Sequence, residues 1–189
     1  DDIVVAHNSI DPLSLLSPDV SRRTPRDSVV IATACRHAHE KGLIPFVEAL
    51  AELKTLAAGR FRAVIAGDGP LRKDIERMVV SAGLRDDVEF PGWVPSMPQF
   101  YADCDIFVVP STSSEGLPGT ILEAMFCKCA VVASDVGGAR EVIQPGIDGI
   151  VVPPGDVHAL SSALGGLGGD AGLRKRLGEA GRGRIETSF

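Results

Sequence analysis

What the chain lacks narrows its chemistry first. Its 189 residues carry a net charge of −6, and the only run of three adjacent basic residues is Arg174-Lys175-Arg176 near the end. A nucleic-acid binder would show a basic face, so no nucleic acid is expected as a partner. No apolar run reaches the ~20 residues of a membrane span. The opening Asp1-Asp2-Ile3-Val4-Val5 is not a signal peptide and begins abruptly inside a strand-like pattern, so a fragment of a longer protein is expected. Cysteines number four, at positions 35, 104, 127 and 129. The close pair, Cys127-Lys128-Cys129, lacks zinc-ribbon spacing. With no disulfide framework, a reduced, cytoplasmic setting is expected. Cys35 and Cys104 stand in apolar company and read as small core residues. His37 and His39 share a loop without a matched third ligand, so no metal site is expected. The full glycine fingerprint of nicotinamide-dependent enzymes is also missing, since Leu71 and Arg72 follow Gly67-Asp68-Gly69-Pro70.

What is present is a regular alternation. The chain is 44% hydrophobic, and its length suits one globular domain with a sizeable core. Short apolar runs at Ile3–Ala6, Ser28–Ala34, Phe61–Ala66, Val88–Phe90, Ile106–Val109, Ala130–Ala133 and Gly149–Val152 read as strands. Between them Leu43–Leu56, Leu71–Ala82, Met97–Asp103 and Thr120–Cys127 have helical spacing, with Phe46, Leu50 and Leu53 on one stripe of the first. Two further helices, Val157–Leu167 and Leu173–Arg184, are expected to be separated by a break at Gly165-Gly166-Leu167-Gly168-Gly169. Strand–helix alternation with strands buried on both faces predicts an α/β fold, a doubly wound parallel sheet with helices on both faces. Ligands of such sheets sit outside the carboxyl ends of the strands, so the loops after strands carry the candidate site.

Three loops have suitable chemistry. After Ser28–Ala34, Arg36 and Lys41 offer a planar fork and a mobile point charge for a diphosphate, or are two ordinary surface cations. After Phe61–Ala66, Gly67-Asp68-Gly69-Pro70 reads first as a helix-entry turn, at the edge where a ligand would lie. After Ile106–Val109, the Ser-, Gly- and Pro-rich run Pro110–Pro118 enters a helix at Gly119-Thr120. Free backbone amides and the helix dipole make that start an anion site. Glu115 precedes this helix, where a carboxylate is electrostatically comfortable. Glu123 lies inside it between Leu122 and Ala124-Met125, where an unpaired carboxylate is costly. An acceptor-only group there suits two vicinal ribose hydroxyls. In the next such loop Glu141 reads as a first-turn helix acid.

Together these pieces resemble the retaining glycosyltransferases of the two-domain GT-B fold, glycosyltransferase family 4. The resemblance runs from His7-Asn8-Ser9-Ile10-Asp11 through Arg36…Lys41-Gly42, Gly67-Asp68-Gly69-Pro70 and Phe90-Pro91-Gly92-Trp93-Val94. It is densest at Glu115-Gly116-Leu117-Pro118…Glu123-Ala124-Met125, which matches the family's paired-glutamate motif, and ends in Val136-Gly137-Gly138…Glu141. Three positions depart from the pattern: Ser9, Lys128 with Ala130, and Ala34 or Cys35 stand where glycine, glycine with proline, and glycine are common.

The resemblance implies a Rossmann-like C-terminal domain spanning residues 1–189 that binds a nucleoside-diphosphate sugar, with an N-terminal acceptor domain beyond this chain. It implies that Arg36 and Lys41 hold the diphosphate and Glu115 meets the transferred sugar. Glu123 would take the ribose, and the amides of Gly119 and Thr120 would cradle phosphate behind Leu117 and Pro118. Trp93 and Val94 would meet the base. No cofactor or metal is required in that scheme, and any peripheral membrane contact would be made through the missing half. A GT-B epimerase or phosphorylase, or a non-catalytic nucleotide-binding module, shares these features. Base, sugar and acceptor are not legible.

Overall fold

A computed structural model describes residues 28–56, 61–113, 116 and 119–189. Six strands form one parallel sheet: β1 (Val29–Ala34), β2 (Phe61–Ala66), β3 (Val88–Gly92), β4 (Ile106–Val109), β5 (Ala130–Ser134) and β6 (Ile150–Val152), in the order β3-β2-β1-β4-β5-β6. The order reverses between β1 and β4, so the crossovers leaving these neighbours run to opposite sides and open a crevice at their carboxyl ends. Ile31 of β1 lies beside Ile106 of β4, and Val29–Ala34 is in unbroken register with Phe61–Ala66. Edge strand β3 is irregular. Val64 pairs with Glu89 but Ala66 with Gly92, and Pro91, which has no N–H to give, falls within the extra residue's span. The expected strand at Ile3–Ala6 and the motif His7–Asp11 lie outside the described residues.

Both faces are covered, as the continuous apolar runs demand. On one face α1 (Leu43–Leu56), α2 (Arg72–Ser81) and α6 (Val157–Gly169) bury Phe46, Leu50, Ile75 and Leu164 against Ile31, Ile65 and Val108. On the other, α3 (Met97–Ala102), α4 (Gly119–Phe126) and α5 (Ala139–Val142) bury Tyr101, Ile121, Met125 and Val142 against Phe107, Val131 and Ala133. The last helix, α7 (Ala171–Ser188), touches both clusters through Leu177 and Ile185. Among the described residues no helix is long and apolar enough to cross a membrane.

One expectation is corrected. The glycine patch does not break the chain; α6 runs through Gly165, Gly166, Gly168 and Gly169. Each helical glycine costs about 1 kcal/mol relative to alanine. Burying Leu160, Leu164 and Leu167 returns roughly 1.5–3 kcal/mol apiece, which outweighs that cost. The actual break is Asp170, whose extended backbone ends α6 and whose Oδ1 accepts from Leu173 N at 2.8 Å to cap α7.

Candidate functional site

The loop leaving β1 is stitched to its neighbours on both sides. Toward β2, Cys35 N donates to Ala66 O (3.2 Å), His37 N to Asp68 O (2.9 Å) and Leu71 N to His37 O (3.0 Å). The fit is so close that a Cβ on Gly67 would lie 2.0 Å from Cys35 O. Glycine at position 67 is thus required by backbone approach. Toward β4, Thr112 N donates to Glu40 O (2.9 Å), and the Thr112 hydroxyl lies 3.3 Å from His39 O. Gly42, at φ 65°, closes the 3₁₀ turn His39–Lys41, and a Cβ there would lie 1.9 Å from Pro110 O. The switch point is therefore a rigid floor on which two loops are held in register.

Above that floor lies a hollow of about 320 Å³, whose lining includes Thr33, Cys35, Lys41, Ser111, Gly119 and Thr120. Three sequence candidates meet here: Lys41, Gly119 and Thr120. α4 starts at Gly119, so its first amides have no partner one turn earlier in the helix. A lysine, hydroxyl side chains and a helix start around one concavity have the chemistry that suits an anion. Cys35, expected in the core, is half-buried: it packs against the core just past the end of β1 and also lines this hollow.

Arg36 does not line it. Its side chain is 67% exposed, and its guanidinium pairs with Glu40 Oε1 at 2.6 Å. The backbone amide of Glu40 and the Arg36 hydrogen bond hold the Glu40 carboxyl below its usual range. The two histidines part company: His39 is exposed, and His37 is fully buried with its ring edge-on to Phe90 at 6.4 Å. Burial above all lowers the His37 pKa, against the opposing pull of the Ala66 carbonyl. His37 acts as a packed wedge between the β1 and β2 loops.

Gly67, Trp93 and Val94 lie at the ends of β2 and β3, outside the first hollow. Gly67 N donates to Gly92 O at 2.7 Å, joining the ends of β2 and β3. Trp93 is 86% exposed, and with Val94 it lines a separate hollow of about 370 Å³ with Gln99 and Phe100 of α3. Arg72 braces this corner, donating to Phe90 O (3.1 Å) and Gly67 O (3.4 Å) while pairing with Glu76 (2.8 Å). Glu123 is one turn into α4 from Gly119, half-buried, and accepts from the Tyr101 hydroxyl at 2.7 Å. Glu115, Leu117 and Pro118 lie outside the described residues.

The comparisons with known proteins give the family and the fold. The family model for group 1 glycosyl transferases matches residues 28–170. The chain is 37% identical over 155 residues to the alpha-D-kanosaminyltransferase of Streptomyces kanamyceticus, covering 81% of this chain and 40% of that protein. This chain belongs to the group 1 glycosyl transferases. The C-terminal domain of a group 1 glycosyl transferase (LpcC) from Francisella tularensis superposes with a TM-score of 0.77 at 26% identity, over 97% of this chain and 93% of that one. Anabaena HepE, in complex with UDP and glucose, gives a TM-score of 0.80 at 26% identity, over 86% of this chain and 45% of that one. This glycosyl transferase chain thus spans about 40% of the Streptomyces relative, and its sheet is that of a Rossmann-like half of a GT-B fold.

Two residues that brace this region, Tyr101 and Arg72, are not marked by the sequence. Tyr101 is the only tyrosine and sits on a helix that reads as plain core. A buried phenol needs a partner, but nothing in the sequence links it to a glutamate 22 residues on. Arg72 looks like a surface charge of α2 until the β2 and β3 loops close over it.

Proposed function

We propose that this chain is the donor-binding, C-terminal domain of a retaining glycosyltransferase, and that a nucleoside-diphosphate sugar lies across the β1/β4 crevice. The observation that carries the reading is the hollow in which Lys41, the Ser111 residue and the α4 start at Gly119-Thr120 meet. The diphosphate would rest on the α4 amides with Lys41 as its counter-charge, and Arg36 would leave Glu40 to join it. The nucleoside would run toward Gly67, Trp93 and Val94, with Glu123 on the ribose. Glu115 takes the transferred sugar in this reading, on the strength of the family motif.

The chemistry follows from where charge develops. As the glycosidic bond to the diphosphate lengthens, negative charge grows on the departing oxygen and positive charge on the anomeric carbon. Fixed donors aimed at the departing group stabilise that state, by about 3 kcal/mol for one well-placed donor in a site closed to water. The sugar moves to an acceptor hydroxyl with its anomeric configuration retained. Lys41, Arg36 and the helix start supply the neutralisation, and the scheme calls on no metal. Acceptor placement and water exclusion fall to the portion of the protein beyond this chain, as does any membrane contact. The isolated chain is expected to bind without turnover.

Support comes from HepE, whose solved complexes contain UDP and UDP-glucose. The test is calorimetric titration of the chain with UDP, GDP and ADP, repeated with Lys41→Ala. One nucleotide should bind and the variant should lose roughly tenfold or more in affinity, the loss expected of a desolvated charge pair. Failure of all three to bind contradicts the proposal; binding indifferent to Lys41→Ala removes the assigned hollow.

A further inference from the structure

Glu123 poses a problem of placement. Its neighbours Ile121, Leu122, Ala124 and Met125 are fully buried, so the carboxylate rises from an apolar helix with little to hold its rotamer. Tyr101 supplies what is missing. The phenol is 1% exposed, and its ring stands edge-on to Phe107 at 5.2 Å and to Phe100 at 6.1 Å. Its backbone is equally fixed, since Tyr101 O accepts from Cys104 N at 3.0 Å and from the Cys129 thiol at 3.4 Å. A ring wedged in this way has one place for its hydroxyl, and that place is Glu123 Oε2. Burial first, then the charge of Glu123, pushes the phenol far above its ordinary pKa. The hydroxyl therefore remains a donor throughout the working range of pH.

We propose that Tyr101 is a positioning residue: it locks Oε2 of Glu123 so that Oε1 stays aimed at the two ribose hydroxyls of the donor. The proposal rests on the donor-site reading above. Its geometry is that of a pair divided between two tasks. Glu123 follows Gly119 by four residues, so both lie on one face of α4, and Gly119 lines the hollow. A carboxylate has about four acceptor positions, of which the phenol occupies one. With one oxygen held, the other is pre-organised, and the ligand need not immobilise the side chain on binding. Without the phenol, Glu123 would be free to turn to water or to sample other rotamers. The loss would then fall on recognition of the ribose and spare that of the diphosphate.

The test separates those two contacts. The full chain is titrated with UDP, GDP and ADP and with their 2′-deoxy counterparts, comparing wild type, Tyr101→Phe and, as a control for lost stability alone, Val79→Ala in the opposite core. Wild type should prefer the ribonucleotide by about tenfold, Val79→Ala should keep that ratio, and Tyr101→Phe should cut it to about threefold or less. A second measurement leaves the fold untouched. Tyr101 is the only tyrosine in the sequence, so growth on 3-fluorotyrosine places one fluorine beside Glu123. Its ¹⁹F resonance should move with the ribonucleotide and much less with the 2′-deoxy form. An unchanged ribo/deoxy ratio in Tyr101→Phe, or equal ¹⁹F shifts with both ligands, overturns the positioning role while leaving the donor site standing. Wild type that binds both forms equally overturns it too, by removing Glu123 from the ribose. Wild type that binds none of the six overturns the donor-site reading and the inference together.

Discussion

The turn after α4 contains a residue in a conformation it disfavours, and its replacement has a predictable sign. Lys128 has φ 63°, the one positive φ among described non-glycine residues. It sits just past the helix end, with Lys128 N donating to Met125 O (2.9 Å) and Cys129 N to Ala124 O (3.0 Å). That pair of bonds is a Schellman cap, whose left-handed position usually belongs to glycine. A Cβ there costs roughly 1–2 kcal/mol. Glycine would remove that strain but add freedom to the unfolded chain, a loss of about 0.4–1 kcal/mol. The Lys128 side chain is exposed, so little packing is given up. Lys128→Gly should therefore stabilise the domain by about 0.5–1 kcal/mol, or about 1–4 °C in Tm for a domain of this size. Urea unfolding followed by far-UV circular dichroism should show a higher midpoint at constant slope. Lys128→Ala keeps the Cβ and should show no such gain, which separates conformation from charge. A lower midpoint for Lys128→Gly, or an equal gain for Lys128→Ala, would refute the strain argument.

Other outcomes follow from the same close packing. Gly42→Ala would press a methyl into Pro110 O in a left-handed backbone, parting the β1 and β4 loops. It should lower stability by more than about 2 kcal/mol and abolish nucleotide binding; a folded variant that still binds would show that the crevice floor tolerates movement. Gly178→Ala tests the seat of α7, because a Cβ there would lie 2.2 Å from Lys128 O. Its thermal midpoint should fall by several degrees, and an unchanged midpoint would mean that the helix can lift without cost. Glu40→Gln removes the carboxylate that competes with a diphosphate for Arg36, so affinity should rise about two- to fivefold, with the gain shrinking in high salt. A loss of affinity would instead make Glu40 part of the binding surface.

The sheet was legible because its strands are short, apolar on both faces and separated by helices of clear period; Phe61–Ala66 and Ile106–Val109 have the bounds that the residues predict. Right-handed crossovers limit the order of the strands without fixing it, and the pairing supplies the rest. The glycine patch misled because propensity is local while the gain from burying Leu160, Leu164 and Leu167 is not. Within the site, Lys41, Gly119 and Thr120 could be found because they sit near strand ends whose position the alternation fixes. The orientation of Arg36 could not, since its choice between Glu40 and a ligand is made by an exposed side chain with many rotamers. The Tyr101–Glu123 contact was hidden for another reason: it joins two helices across the second core, and a single phenol in an apolar stripe signals packing alone.

The most direct measurement is amide chemical-shift mapping of the ¹⁵N-labelled chain during titration with the nucleoside diphosphate that binds best. A ligand across the β1/β4 crevice should shift Lys41, Ser111, Gly119 and Thr120 most, with a weaker trail to Gly67 and Trp93. Shifts centred on β6 or α7, with those four amides unmoved, would contradict it.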